Sequence, residues 1–162
     1  LGGKDPMIVL KDANLKRAVE SAIFGGLSNA GQTCISTEEV FIEDPIYDQF
    51  VEKISSRVKD IKSGKDEDCD LGSMIMPQNT EKVNRHIQEA EGSCRVIKGP
   101  ADEGEMFIAP TLVLDPSSDL SIVNEETFDI FVARGFALSF WQWLEEASLE
   151  YGFRVETLSS TQ

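Results

Sequence analysis

The sequence lacks the features of a membrane-spanning or exported chain. None of its apolar runs reaches the ~18 residues that indicate a transmembrane helix. Its N-terminus has no basic region followed by an apolar stretch, which is the pattern of a secretion signal. From these two absences we expect no association with a membrane, and we predict that the protein is cytoplasmic.

Cysteine and histidine are scarce, with three cysteines and one histidine in 162 residues. Cys34, Cys69 and Cys94 are odd in number and widely spaced, and no two of them form a Cys-x-x-Cys pair. A disulfide scaffold is therefore disfavoured, and a reducing compartment fits better. A structural zinc site usually needs four closely paired cysteine or histidine ligands, so we expect no metal.

Basic side chains are also few, since 15 lysines and arginines face 29 aspartates and glutamates, for a formal charge of -14. This balance argues against a nucleic-acid partner, because nucleic-acid binding rests largely on Lys and Arg neutralising phosphates. The chain is long enough for one domain with a sizeable core, and its 41% hydrophobic content fits a globular protein.

Short apolar runs alternate with helical patterns along the chain. The runs predict strands over residues 7–10, 39–44, 94–99 and 109–115. Apolar residues at helical spacing predict three helices, which begin after Asp12 or Asn14, at Asp44 and near Thr80. This alternation indicates an α/β fold with a mostly parallel, twisted sheet covered by helices.

Several connecting residues add detail to this pattern. We expect Gly31 to form a tight turn, Gly25 and Gly26 to weaken the end of the first helix, and Gly92 to cap the third helix in a left-handed conformation. We also expect residues 62–70 to form a solvated, acidic connector. The segment from about Ala133 onward has a loose helical period.

Four separated motifs resemble the catalytic domain of the NAD(P)-dependent aldehyde dehydrogenase superfamily. "LGGKDP" (1–6) resembles its Glu-Leu-Gly-Gly-Lys-x-Pro motif, and "NAGQTCIS" (29–36) its Gly-Gln-x-Cys nucleophile motif. "FIAPTLVLD" (107–115) resembles its Pro-Thr strand, and "NEETF" (124–128) its Glu-Glu-x-Phe motif. The four stand in the family's order. We therefore predict a catalytic-type domain over residues 1–128, with 129–162 as a divergent C-terminal segment of the same domain.

Cys34 is the residue on which this resemblance has the most chemical consequence. Without the motif, a free cysteine is most often an apolar filler, and a redox thiol is a further alternative. The resemblance implies a nucleophile that forms a thiohemiacetal and then a thioester with an aldehyde, with hydride transfer to NAD or NADP. It also implies that Thr33 and Ile35 line the aldehyde tunnel, although simple packing explains both residues equally well.

The resemblance also implies contacts with the cofactor. Leu1 and Gly2 would lie beside the thiol and the nicotinamide, and Glu126 and Phe128 match the residues at the nicotinamide ribose. Lys82, together with Asn79, falls where the family holds other ribose contacts, but a charged helix face is the alternative explanation. His86 lies between polar positions of the same predicted helix, and we expect it to be a surface or half-buried residue without a catalytic role.

One partner of Cys34 lies outside the sequence. The family places its general-base glutamate immediately before the leucine that here is Leu1, and its dinucleotide-binding region lies further upstream. We therefore expect the isolated chain to be inactive, and the full-length protein to be a homo-oligomer that oxidises a small-molecule aldehyde. The alternative is a non-catalytic α/β domain of the same ancestry that serves assembly or binding.

Overall fold

A computed structural model describes residues 4–124 and 130–134 of the chain. Its single described sheet has the strand order β1-β2-β5-β4-β3. The strands are β1 Asp5–Val9, β2 Thr37–Ile42, β3 Arg95–Lys98, β4 Thr111–Leu114 and β5 Ile130–Arg134. The pairs β1–β2, β2–β5 and β4–β5 are parallel, whereas β3 runs antiparallel to β4. The predicted α/β fold with a mostly parallel sheet is confirmed.

The fifth strand was not among the predicted elements. Ala133 was expected to open a segment with a helical period, but it belongs to β5, which pairs with β2 and β4. The prediction was wrong there because a short apolar run does not by itself distinguish a strand from a helix. Most of the proposed divergent segment, including residues 135–162, lies outside the described residues.

The helices are α1 Leu15–Leu27, α2 Tyr47–Asp60, α3 Pro77–Glu91 and the short α4 Ser121–Asn124. Asn14 is the residue that caps α1, since its Oδ1 accepts a hydrogen bond from the N–H of Arg17 at 3.1 Å. Asp44 does not cap α2. It lies instead within a short 3-10 helix, Asp44–Ile46, that leads into α2.

The glycine at the end of α3 does not adopt the predicted left-handed conformation. Gly92 has a φ of −76°, and its N–H donates to the carbonyl of Gln88, which continues the helical hydrogen-bond pattern. The glycines of α1 likewise do not end that helix, which continues to Leu27. None of these glycines therefore ends its helix through a left-handed conformation.

The connector over residues 62–70 is only partly solvated. Ser63 is fully buried, and its N–H donates to the carbonyl of Pro100 at 3.0 Å. The N–H of Asp102 in turn donates to the carbonyl of Ser63 at 2.8 Å. The connector is therefore attached to the loop that follows β3, while residues 65–68 remain exposed as predicted.

The core lies on both faces of the sheet. Leu112 and Leu114 of β4 pack into the large cluster formed with α1 and α2, whereas Val113 packs with Ala90 of α3 and Ile122 of α4. This alternation explains why β4 is buried along its whole length. None of the described helices is both long and apolar enough to cross a membrane.

His86 was expected at the surface or half-buried, and this prediction is wrong because His86 is fully buried. The apolar side chains Val83, Ile87 and Ala90 form the buried face of α3. Position 86 lies three residues after Val83 and therefore falls on that same face. The polar neighbours of His86 in the sequence point to other sides of the helix.

Candidate active site

Cys34 lies on the connection between α1 and β2, residues 28–36, which we call the Cys34 loop. The loop begins with three successive left-handed residues, Asn29, Ala30 and Gly31, whose φ angles are 55°, 56° and 75°. Gly31 adopts this conformation without a steric penalty, as the predicted turn requires. Asn29 and Ala30 each carry a cost of about 1 kcal/mol, so other contacts must hold the loop in this shape.

The thiol itself stands in a tight turn. The N–H of Ser36 donates to the carbonyl of Thr33 at 3.2 Å, which closes the turn around Cys34 and Ile35. Thr33, Cys34 and Ile35 are all exposed, and 80% of the Ile35 surface is accessible. Cys34 is therefore not a buried filler, and neither flanking residue packs into the core.

The backbone N–H of Cys34 is also part of the site geometry. Among residues 4–124 and 130–134, no backbone or side-chain acceptor engages this N–H. An N–H adjacent to a thiol can stabilise negative charge on an oxygen bonded to the carbon that the sulfur attacks. The turn thus offers a nucleophile and a hydrogen-bond donor on one residue.

Gln32 holds the loop against a distant segment. Its Nε2 donates to the carbonyl of Asn29 at 3.0 Å and approaches the carbonyl of Ser73 at 3.4 Å. Its Oε1 accepts from the N–H of Ile75 at 2.9 Å. The sequence indicates no separate role for Gln32, because these partners lie 41 and 43 residues away along the chain.

The other end of the loop is anchored to α1. Ser36 is buried, and its Oγ lies 3.2 Å from the carbonyl of Gly25 and 3.3 Å from that of Gly26. Its burial and its two carbonyl partners give this hydroxyl a structural role.

Lys4, in the N-terminal motif, contacts residues that lie next to two of the other motifs. Its Nζ lies 3.9 Å from Oε2 of Glu38, which follows the nucleophile motif and is buried. The same ammonium donates to the carbonyl of Ile122 at 2.5 Å, two residues before "NEETF" begins. The N-terminal motif, the start of β2 and the approach to the last motif therefore meet at this lysine.

Four of the residues that the resemblance assigns to the cofactor lie outside the described residues: Leu1, Gly2, Glu126 and Phe128. Lys82 is half-buried on α3, three residues from the half-buried Asn79 and so on the same helix face. The structure thus brings Thr33, Cys34 and Ile35 together and places Lys82 on the helix that follows the segment bound by Gln32.

The other cysteines have different surroundings. Cys94 is half-buried, and its Sγ donates to the carbonyl of Ala90 at 3.2 Å. Burial, reinforced by the charge of Asp115, raises the pKa of the Cys94 thiol above its ordinary value. Cys69 is also only partly accessible, which leaves Cys34 as the one cysteine classed as exposed.

A groove of about 800 Å³ lies away from this loop, between α2 and the β3–β4 side of the sheet. It is lined by residues that include Tyr47, Lys59, Cys94 and Arg95, and by none of the residues assigned to the site. Volume alone would place the active site there. The motif residues and the exposed thiol place the candidate site at the Cys34 loop instead.

The chain is similar to known proteins in sequence and in structure. The model of the aldehyde dehydrogenase family matches residues 1–131. A lactaldehyde dehydrogenase of Methanococcus aeolicus is 40% identical over 131 residues, which cover 79% of this chain and 28% of the relative. A succinate-semialdehyde dehydrogenase (NADP+) of Escherichia coli is 37% identical over 133 residues, with the same coverage of 79% and 28%.

Solved structures agree with the sequence comparison. The betaine aldehyde dehydrogenase of Staphylococcus aureus, solved in complex with NAD+, superposes with a TM-score of 0.73 at 28% identity. The match covers 83% of this chain and 29% of that structure. The chain therefore spans less than a third of the length of these relatives. With the family model matching residues 1–131 of 162, the chain belongs to the aldehyde dehydrogenase family.

Proposed function

We propose that this chain supplies the cysteine-bearing part of an enzyme that oxidises an aldehyde to a carboxylic acid, with NAD or NADP as the hydride acceptor. The observation that carries the proposal is Cys34, which stands exposed in the family's nucleophile motif on a loop fixed at both ends. Because the chain covers under a third of its relatives, the proposal concerns the whole enzyme to which such a chain contributes.

The chemistry begins at the sulfur of Cys34. Its thiolate attacks the aldehyde carbon, so that a C–S bond forms and the carbonyl electron pair moves to the oxygen. The N–H of Cys34 would donate a hydrogen bond to that oxyanion. Loss of a hydride from the carbon leaves a thioester, which water cleaves to the acid and the free thiol. In sum, an aldehyde, water and NAD(P)+ give an acid, NAD(P)H and a proton.

Lys82 is the described residue that would hold the cofactor. Its ammonium can donate hydrogen bonds to ribose hydroxyls, and the amide of Asn79 on the same helix face adds further donors and an acceptor. This donor set fits a ribose. When bound, the dinucleotide supplies a two-electron acceptor for the hydride of the substrate. We assign Leu1, Gly2, Glu126 and Phe128 to the same cofactor on the basis of their motifs.

Thr33 and Ile35 would contact the aldehyde. Both flank the thiol and are exposed, so a substrate bound to Cys34 meets their side chains. The names of the relatives include lactaldehyde, succinate semialdehyde and betaine aldehyde, which differ in charge. We accordingly propose a small aldehyde without naming one. A homo-oligomer of the whole enzyme stays a prediction.

We also propose that these 162 residues alone oxidise no aldehyde. The relatives whose names describe this activity are more than three times as long as the matched stretch. A non-catalytic domain that serves assembly or binding is the alternative, and the exposure of Cys34 favours the enzyme, since a domain without chemistry has no need of an accessible thiol.

Acylation by p-nitrophenyl acetate tests the nucleophile without any cofactor. The Cys34 sulfur forms a C–S bond to the acetyl carbon, the ester C–O bond breaks, and p-nitrophenolate leaves with the electron pair. We expect a burst of p-nitrophenolate and an acetyl group on Cys34 by peptide mass spectrometry, both absent in Cys34→Ala. Cys69→Ala is the matched control and should keep the burst. Acetylation of the three cysteines at equal rates would contradict the assignment of Cys34.

The expected inactivity has its own assay. The chain is mixed with an aldehyde and NAD+ or NADP+, and the absorbance of the reduced cofactor is followed. We expect no increase. An increase that Cys34→Ala abolishes would show that the 162 residues are a complete catalyst, while confirming the nucleophile.

A further inference from the structure

We infer that Gln32 is a positioning residue for the Cys34 nucleophile, an inference that rests on the proposed function. Gln32 itself takes no part in bond making. Its side-chain amide fixes the relation between the sulfur of Cys34 and the backbone N–H of the same residue. The inference follows from three contacts of that amide and from the conformation of the loop that they hold.

First, the side-chain amide of Gln32 is bound to residues 73–75. Gln32 Oε1 accepts from the N–H of Ile75 at 2.9 Å, and Nε2 lies 3.4 Å from the carbonyl of Ser73. Between these two partners stands Met74, which is buried and whose N–H donates to the carbonyl of Met106 at 2.8 Å. The segment that receives Gln32 is therefore itself held in place, and it can serve as a fixed point for the loop.

Second, the same amide binds the left-handed part of the loop, at Asn29. Asn29 and Ala30 adopt left-handed conformations that non-glycine residues avoid. Nε2 of Gln32 donates to the carbonyl of Asn29 at 3.0 Å, and the amide group of Asn29 donates back to the carbonyl of Gln32 at 3.2 Å. These reciprocal bonds stabilise the reversal of the chain two residues before the thiol.

The third observation is that the turn bearing the thiol has little other support. Thr33, Cys34 and Ile35 are exposed and pack against no core cluster. The turn has one internal hydrogen bond, from the N–H of Ser36 to the carbonyl of Thr33, and the N–H of Thr33 donates to the carbonyl of Gly31 at 2.9 Å. Beyond these backbone bonds it is held at its two ends, by Gln32 on one side and by the buried Ser36 on the other. Loss of the Gln32 contacts would leave the thiol accessible but would loosen the backbone that carries the Cys34 N–H.

Two reactions of the same sulfur distinguish positioning from simple exposure. Alkylation by iodoacetamide needs an accessible thiolate and develops no charge on a carbonyl oxygen. Acylation by p-nitrophenyl acetate passes through an oxyanion and so also needs the donor. The ratio of the two rates at Cys34, each measured by peptide mass spectrometry, is a readout that a change in the accessibility of the thiol alone would not alter.

Gln32→Met is the test variant, because methionine keeps the length of the side chain and makes none of the three hydrogen bonds. We expect the acylation rate of Cys34 to fall about tenfold, while its alkylation rate stays within about twofold. Gln32→Glu keeps the acceptor for Ile75 but faces two carbonyls with an oxygen, and we expect the same direction of change. Gln49→Met on the exposed side of α2 is the control and should leave both rates unchanged.

The possible results separate this inference from the function on which it rests. Cys34-dependent acylation that is unchanged in Gln32→Met, or that falls in proportion to alkylation, would overturn the positioning role and leave the nucleophile intact. Absence of Cys34-dependent acylation in the unaltered chain would instead contradict the proposed nucleophile, and the inference would fall with it. A reduced ratio in both Gln32 variants, with the control unchanged, supports the inference.

Discussion

Gly25 of α1 and Thr37 at the start of β2 are so close that a methyl group on Gly25 would lie 2.5 Å from Oγ1 of Thr37. The end of the helix therefore lies directly against the beginning of the strand. The Cys34 loop must therefore leave and return over a short distance, which its left-handed residues make possible. A glycine that the sequence suggested would weaken the helix instead permits the close approach on which the loop depends.

The first prediction concerns this contact. Gly25→Ala should lower the free energy of unfolding by about 1–3 kcal/mol, because the added methyl group overlaps a side chain in a packed interface. Urea unfolding followed by circular dichroism measures the change. Gly72→Ala is the matched control, since a methyl group there meets no atom within 4 Å.

A second substitution identifies the cause of that effect. Thr37→Ala removes Oγ1 and leaves Cβ, which lies 3.2 Å from the added methyl group. The double variant Gly25→Ala/Thr37→Ala should therefore recover part of the loss, as a double-mutant cycle reports for residues in contact. Strictly additive effects would show that the helix is disturbed for a reason other than this overlap.

The second prediction concerns an ion pair between helices. Arg57 of α2 donates to both carboxylate oxygens of Glu20 on α1, at 2.8 and 3.3 Å. The hydrogen bond from Arg57 lowers the pKa of the Glu20 carboxyl below its ordinary value. The pair therefore adds stability above the unfolded pKa of about 4.3, and this contribution is lost as the pH falls through the lower, folded pKa.

Glu20→Gln should accordingly be less stable than the unaltered chain at neutral pH, and the difference should disappear in strong acid. Because the pair is exposed, added salt should also reduce the difference. Glu52→Gln, which removes another exposed carboxylate, is the control. Unfolding midpoints measured from neutral to acidic pH, at low and high salt, report both trends, and a difference that persists at low pH would contradict the assignment.

The third prediction orders the thiols by reactivity. Cys34 is exposed, whereas Cys94 is half-buried. Because the pKa of Cys94 is raised, it forms less thiolate near neutral pH than a thiol of ordinary pKa does. Iodoacetamide should label Cys34 before Cys94, and the rate at Cys94 should keep rising into more alkaline solution. Peptide mass spectrometry after timed quenching gives each rate. Faster labelling of Cys94 at neutral pH would contradict the burial of its sulfur.

How far the sequence predicts this structure depends on how local each signal is. The cap at Asn14 and the turn at Gly31 follow from residues next to them in the chain, and both are present. The hydrogen bonds of Gln32 to residues 73–75 could not be predicted, because no local pattern reports a partner about 40 residues away. His86 was expected near the surface because histidine is polar, but its position on the apolar face of α3 places it in the core.

The same contrast applies to the candidate site. The nucleophile motif predicts a role for Cys34 and its neighbours, since that chemistry depends on residue types in sequence. The left-handed conformation of Ala30 gave no signal, because alanine disfavours it and only tertiary contacts enforce it. A motif can therefore suggest a role that stays a prediction, whereas what holds the motif in shape is seen only in the fold.

The last prediction concerns Lys4, which joins the N-terminal motif to the start of β2 and to the residues just before the last motif. Its Nζ lies 3.9 Å from the buried carboxylate of Glu38 and donates to the carbonyl of Ile122. Lys4→Met would remove both contacts and leave a carboxylate in a buried position without this cation. We expect a loss of about 2–4 kcal/mol in the free energy of unfolding, because removing one partner of a buried ion pair leaves the other charge with less compensation.

The partner variants sharpen this expectation. Glu38→Gln removes the charge and keeps the shape, so it should cost less than Lys4→Met. The double variant Lys4→Met/Glu38→Gln should be more stable than Lys4→Met alone, because no buried charge then remains at this position. Urea unfolding of the four chains measures the coupling. If Lys4→Met and Glu38→Gln prove additive, the ammonium does not compensate this carboxylate, and the loss in Lys4→Met comes from other contacts of Lys4, which include its bond to Ile122.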